Sequence, residues 1–161
     1  WRKNAAMGPD GVELAKRRKR IKKTKLMVLC DVSGSMDCYS RFLIQFIYAV
    51  KREIPDVEVG VFSTRMTVIS RLLKSKSVEE SLREVADEVH DWAGGTDIGS
   101  CIRDFNDVFA RDMLRSRTVM MIVSDGWDRG DTGLMRQEME RLRRRVHKLI
   151  WLKNCPFLQV T

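Results

Sequence analysis

The chain has 161 residues, 43% of them hydrophobic, and a chain of this size can bury roughly two thirds of its unfolded surface in one core. No apolar run approaches the roughly 18 residues of a membrane span, and the N-terminal segment is polar and basic rather than leader-like, so a cytoplasmic protein without a signal peptide is expected. The net charge of +8, from 30 Lys and Arg against 22 Asp and Glu, is local: residues 16–25 carry eight cations and no acid, and the rest balances at 22 against 22.

Residues 1–25 therefore read as a basic N-terminal arm or linker ahead of a folded unit at 26–152. The chain opens on Trp1 rather than Met, so it is expected to be a fragment of a longer protein. The arm suits nucleic acid or an acidic protein surface, or is a solvated linker. Its cations are not interleaved with aromatics, so no base-stacking platform is visible.

Leu26-Met27-Val28-Leu29-Cys30 is a continuous apolar run and predicts a central β-strand. It stops abruptly at Asp31-Val32-Ser33-Gly34-Ser35. A carboxylate and two hydroxyls stand there at alternate positions around a glycine that permits a tight turn. Oxygen donors of this kind suit a hard divalent cation such as Mg2+ or Mn2+. Taken alone, the same pattern serves equally as a helix N-cap with spare serines.

Phe42, Leu43, Phe46, Ile47 and Val50 recur at helical spacing and predict a core-facing helix over about 40–53, ending near Pro55. Val57 to Phe62 reads as a strand. Ser63-Thr64-Arg65 is a turn, and Thr67 to Leu72 a return strand that makes an antiparallel hairpin. Ser77 and Glu80 have the spacing of a capping box before a helix striped by Val78, Leu82, Val85, Ala86 and Val89. Gly94-Gly95-Thr96-Asp97 is a glycine-rich loop with one hydroxyl, followed by a helix of about 98–114 striped by Ile98, Ile102, Phe105 and Phe109. Thr118 to Ser124 is a second buried-type strand, and it too ends in an acid, Asp125. Leu134, Met135, Met139 and Leu142 stripe the helix after Asp131, and the cations Arg141, Arg143, Arg144, Arg145 and Lys148 near its end complement the helix dipole. Val146 to Leu152 is a fifth strand.

Strands alternating with helices imply a mostly parallel sheet covered on both faces, a doubly wound, Rossmann-like α/β fold with one antiparallel strand. Such sheets gather ligands at the carboxyl ends of strands, where the strand order reverses. Asp31 and Asp125 occupy two such ends, and Thr96 is on a loop that can hang over them. Cys30, Cys38, Cys101 and Cys155 form no C-x-x-C pair and read as reduced thiols. His90 and His147 have no partner at metal-ligand spacing, which argues against His-based catalytic triads.

Asp31, Ser33, Ser35, Thr96 and Asp125, in that order, resemble the metal-ion-dependent adhesion site (MIDAS) of von Willebrand factor type A (VWA) domains. Cys-Asp-Val-Ser-Gly-Ser-Met at 30–36, Asp-Trp-Ala-Gly-Gly-Thr at 91–96, Ser-Asp-Gly-Trp-Asp-Arg-Gly-Asp at 124–131 and His-Lys-Leu-Ile-Trp-Leu at 147–152 are similar to the CoxE-like branch of that family. The resemblance implies that Ser33, Ser35 and often Thr96 touch a Mg2+ or Mn2+ ion, while Asp31 and Asp125 act mainly through water. Neutral hydroxyls leave the cation charge largely uncompensated, so it attracts a carboxylate from another protein. The resemblance also implies a non-enzymatic partner of MoxR-type AAA+ ATPases, or of a client protein supplying the acid, in metalloenzyme maturation or complex assembly.

Two alternatives are weighed beside it. A Mg2+-dependent phosphohydrolase of the haloacid-dehalogenase type would carry Asp where this chain has Ser33. An RNA-binding protein would work through residues 16–25, with strong salt dependence and no need of metal. The chain departs from the family at its end. Residues 153–161 are too short for the strand and helix that usually complete the domain, and they lack the usual Asn-Pro after Trp-Leu. The fifth strand is thus expected at an open edge. Either Phe157 to Val160 folds back as a substitute strand, or the edge pairs between copies. Trp127, in the loop after Asp125, is either a core anchor or an exposed contact residue.

Overall fold

β1 (Lys25–Asp31) is the central strand of a five-stranded sheet, and it is apolar from Leu26 to Cys30 because both of its faces are covered. The computed structural model describes residues 24–54, 56–73, 77–89 and 95–153. The strand order is β3-β2-β1-β4-β5, with β2 (Val57–Phe62), β4 (Thr118–Val123) and β5 (Lys148–Leu152) parallel to β1 and β3 (Met66–Val68) antiparallel to β2. The expected α/β architecture with one antiparallel strand is the one observed.

The register sets the two cores. Val28 and Cys30 point to one face, with Val59, Val61 and Val123, and pack beneath α1 (Asp37–Glu53) and α2 (Val78–Glu88) through Ile47, Val85 and Val89. Met27 and Leu29 point to the other face, with Met120 and Ile122, and pack beneath α3 (Ile98–Asp104) and α5 (Thr132–Arg145) through Ile98, Ile102 and Leu142. Chain order runs from β1 outward to β3, then returns to β4 on the other side of β1. The order therefore reverses between β1 and β4, and Asp31 and Asp125 lie there.

Several boundaries differ from the sequence reading. β3 covers three residues rather than Thr67 to Leu72, because Ser70 ends the ladder: its Oγ accepts from Val59 N (2.6 Å) and donates to Val59 O (3.2 Å). α1 starts at Asp37, directly after a 3-10 turn at Gly34–Met36. Its apolar stripe is only partly core. Ile47 is buried, but Phe42 and Phe46 are 54% and 53% exposed. The helix expected over 98–114 is α3, a π-helical turn at Phe105–Phe109 and α4 (Ala110–Met113). Asn106 explains the irregularity. Its side-chain amide donates to Glu138 O and Oε2, and Arg145 donates to its carbonyl, so its backbone leaves the regular ladder.

The capping box of α2 is present, with Ser77 Oγ accepting from Glu80 N and Glu80 Oε2 accepting from Ser77 N. β5 begins at Lys148, two residues later than expected, and no described strand pairs with its outer side. Lys25, counted with the basic arm, belongs to the sheet: it is buried and faces Glu58 at 4.0 Å. Residues 1–23 of the arm and residues 154–161, with the fold-back expected there, lie outside the described residues. Among the described residues no helix is long and apolar enough to cross a membrane.

Candidate metal centre

Asp31 is the last residue of β1 and is fully buried. Both of its oxygens are engaged. Oδ1 accepts from Ser33 N at 2.9 Å, and Oδ2 accepts from Ser124 Oγ at 2.6 Å. The first bond turns the chain sharply after the strand. The second ties the end of β1 to the end of β4. α1 begins after Met36, and Met36 at its N-cap position makes no side-chain cap.

Ser33 is buried in this turn, and its carbonyl accepts from Met36 N at 2.8 Å. Ser35 lies in the 3-10 turn, and its side chain is outside the described residues. Thr96 is buried immediately before α3. Its carbonyl accepts from Arg129 N (2.9 Å), and the next amide, Asp97 N, donates to Ser63 O at the end of β2 (3.0 Å). Asp125 is half-buried just past β4, with Oδ1 accepting from Trp127 N at 2.9 Å. The fold thus brings the ends of β1, β2 and β4 and the loop before α3 to one rim of the sheet.

Three residues of this rim were not singled out from sequence. Ser124 relays between strands: its Oγ donates to Asp31, accepts from Gly126 N at 2.9 Å, and its carbonyl accepts from Trp151 Nε1 at 3.3 Å. Asp97 caps α3 by accepting from Ser100 N. Asp128 Oδ1 accepts from both Ile98 N (2.9 Å) and Gly130 N (3.1 Å), holding the 125–131 loop against the start of α3. A Cβ on Gly130 would stand 2.5 Å from Asp97 Oδ1, so that contact requires glycine. The acid-rich Ser-Asp-Gly-Trp-Asp-Arg-Gly-Asp run was the available signal.

The electrostatics fit a cation. Asp31, Asp97, Asp125 and Asp128 have no salt-bridge partner among the described residues, and Asp128 Oδ2 is a buried oxygen without a hydrogen bond. Cys101 registers this surplus. Burial pushes its thiol up to about 12, and the nearby charges of Asp97, Asp104, Asp31 and Asp128 add to the shift. No three His, Cys, Asp or Glu side chains among the described residues are grouped to hold a metal by themselves. A cation here would draw on hydroxyls as well as carboxylates, which suits a hard ion.

The family model described as "VWA domain containing CoxE-like protein" matches residues 1–158. No curated protein matches the sequence. Among solved structures, von Willebrand factor type A from Catenulispora acidiphila is similar at a TM-score of 0.55 and 15% identity, over 81% of this chain and 34% of its own. Proximal thread matrix protein 1 from the mussel byssus, in a form with a zinc-occupied MIDAS motif, is similar at a TM-score of 0.54 and 18% identity, over 80% of this chain and 37% of its own. At these identities the likeness concerns the fold, and the chain spans little more than a third of either structure.

Proposed function

The chain belongs to the family of VWA domain containing CoxE-like proteins, and we propose that it is a metal-ion-dependent protein-interaction domain. In this reading Ser33, Ser35 and Thr96 contact a divalent cation directly, and Asp31 and Asp125 hold it mainly through water. One observation carries the reading: the fully buried Asp31 carboxylate is locked between Ser33 N and Ser124 Oγ, beside further carboxylates that lack a cation. Removing a carboxylate from water is costly unless it is compensated, and a divalent ion at the rim supplies that compensation. The zinc-occupied MIDAS motif of the mussel protein supports a divalent ion in this fold. Mg2+ or Mn2+ is our choice here because the proposed ligands are all oxygen donors.

A cation held by neutral hydroxyls keeps most of its charge and takes a carboxylate from outside. The proposed partner is a MoxR-type AAA+ ATPase, or a client protein that presents an acidic side chain, in metalloenzyme maturation or the assembly of a protein complex. Family membership supports this choice. The donor set supports a non-catalytic role. Ser33 stands where a phosphohydrolase of the alternative class would need its second acid, and burial pushes up both described thiols near the rim, Cys30 and Cys101, away from an activated nucleophile.

Pull-down of the ATPase by the purified domain tests the partnership. Retention is expected in Mg2+ and loss on chelation or in Ser33→Ala. Retention insensitive to both treatments would remove the metal face as the docking surface.

A further inference from the structure

Trp127 is the most exposed large hydrophobic side chain among the described residues, at 76%, and it stands two positions after Asp125. No contact among the described residues accounts for that exposure. Its indole makes no hydrogen bond to a described residue, whereas the neighbouring Trp151 is half-buried and donates its Nε1 to Ser124 O. The backbone around Trp127 is closely held nonetheless. Gly126 adopts φ +75, a left-handed conformation that favours glycine, and it packs over the Trp151 ring and the Lys153 stem. Gly126 N donates to Ser124 Oγ, and Trp127 N donates to Asp125 Oδ1. The indole is therefore presented to solvent from a rigid turn whose two anchors are Asp125 of the metal centre and Ser124, the residue bonded to Asp31.

The rest of the rim says which chemistry could cover it. Arg129 is exposed, its stem lies over Gly95, and its backbone N is bonded to Thr96 O, so its cation stands over the same face. The carboxylates of Asp125 and Asp128 are half-buried and each accepts a backbone N–H from its own loop. A divalent ion held at the rim would offer a partner carboxylate a coordination position beside a free aromatic surface. Large apolar side chains beside a charged centre are the usual anchors of a docking site.

We infer that Trp127 is the apolar half of a two-point docking surface, whose partner is an acidic peptide segment with apolar residues flanking the carboxylate that reaches the metal. This inference rests on the metal-dependent reading above and adds to it the side chains next to the partner's acid.

Two synthetic probes test it, acetyl-Leu-Glu-Leu-amide and acetyl-Gly-Glu-Gly-amide, titrated into the 161-residue chain in saturating Mg2+ and followed by NMR chemical shifts. Wild type is expected to bind the leucine peptide roughly three- to tenfold more tightly, since an open surface recovers only part of the burial energy of the flanking side chains. In Trp127→Ala the ratio falls to about one, and Trp127→Phe restores part of it, because a smaller ring leaves less surface to cover. Equal affinities in wild type, or a ratio that survives in Trp127→Ala, would overturn the inference. Absence of Mg2+-dependent binding by either peptide would instead overturn the metal–carboxylate reading on which it rests.

Discussion

The two strand-terminal acids were legible in the sequence for a simple reason. Each closes a continuous apolar run, and a charge at the end of a buried strand marks the sheet rim. Ser124 was not legible as a site residue, because its partner Asp31 is 93 positions away and only the β1–β4 register brings them to 2.6 Å. Burial, with a smaller contribution from the same rim, raises the buried thiols. Burial, and then the Asp31 charge, push the Cys30 thiol far above its ordinary value of 9.0, and Cys101 rises to about 12. A thiol whose proton is held more tightly in the folded state costs nothing below the unfolded value. Above 9.0 the unfolded chain gives up the proton and the folded chain keeps it, so stability falls as pH rises. The urea midpoint of wild type should therefore drop between neutral pH and about pH 10, and Cys101→Ala should drop by less. An identical drop in the two proteins would mean that Cys101 ionises as freely folded as unfolded.

At the scale of elements, patterning located most of the strands and helices, and failed where a side chain replaced a backbone partner. Ser70 shortened β3 in this way, and Asn106 with Arg145 opened the π-helical turn after α3. The α1 stripe also misled at Phe42 and Phe46. Helical spacing says which residues share a face, but not how much of that face a neighbour covers. The contact between α3 and α5 carries a further consequence for the rim. A Cβ on Gly99 would meet Met135 N at 2.9 Å and Met135 Cα at 3.3 Å, both of them backbone atoms. In an open helix Gly→Ala gains about 0.5–1 kcal/mol, whereas overpacking a close helix contact costs about 1–3 kcal/mol. The clash should win, so Gly99→Ala is expected to lower stability by roughly 1–2 kcal/mol in denaturant titration, because α5 must move off α3. A more stable variant would mean that the two helices are not in close backbone contact. The same displacement would disturb Thr96 and Asp97, at the start of α3.

For the whole molecule, the doubly wound topology does more than house a core. It puts the reversal of strand order between β1 and β4, so that the ends of three strands and one loop, far apart in sequence, share a rim. Thr96 joins them through Asp97 N to Ser63 O and through its own carbonyl to Arg129 N, two contacts that composition could not reveal. In sequence the charge excess of the chain falls outside the rim segments, since the eight cations of residues 16–25 account for the whole of +8. What the fold concentrates at the rim is the opposite charge, and a divalent ion is the proposed answer to it. Binding to the native state alone adds stability in proportion to the logarithm of ligand concentration, about 2.7 kcal/mol at a hundred times Kd. The most direct test is calorimetric titration of Mg2+ into wild type and Asp31→Ala, with circular dichroism and a thermal melt to establish that each is folded. The account predicts one Mg2+ site of modest affinity in wild type, with a matching rise in Tm, and neither the heat nor the rise in a folded Asp31→Ala. Equal Mg2+ affinity in the two proteins would contradict it.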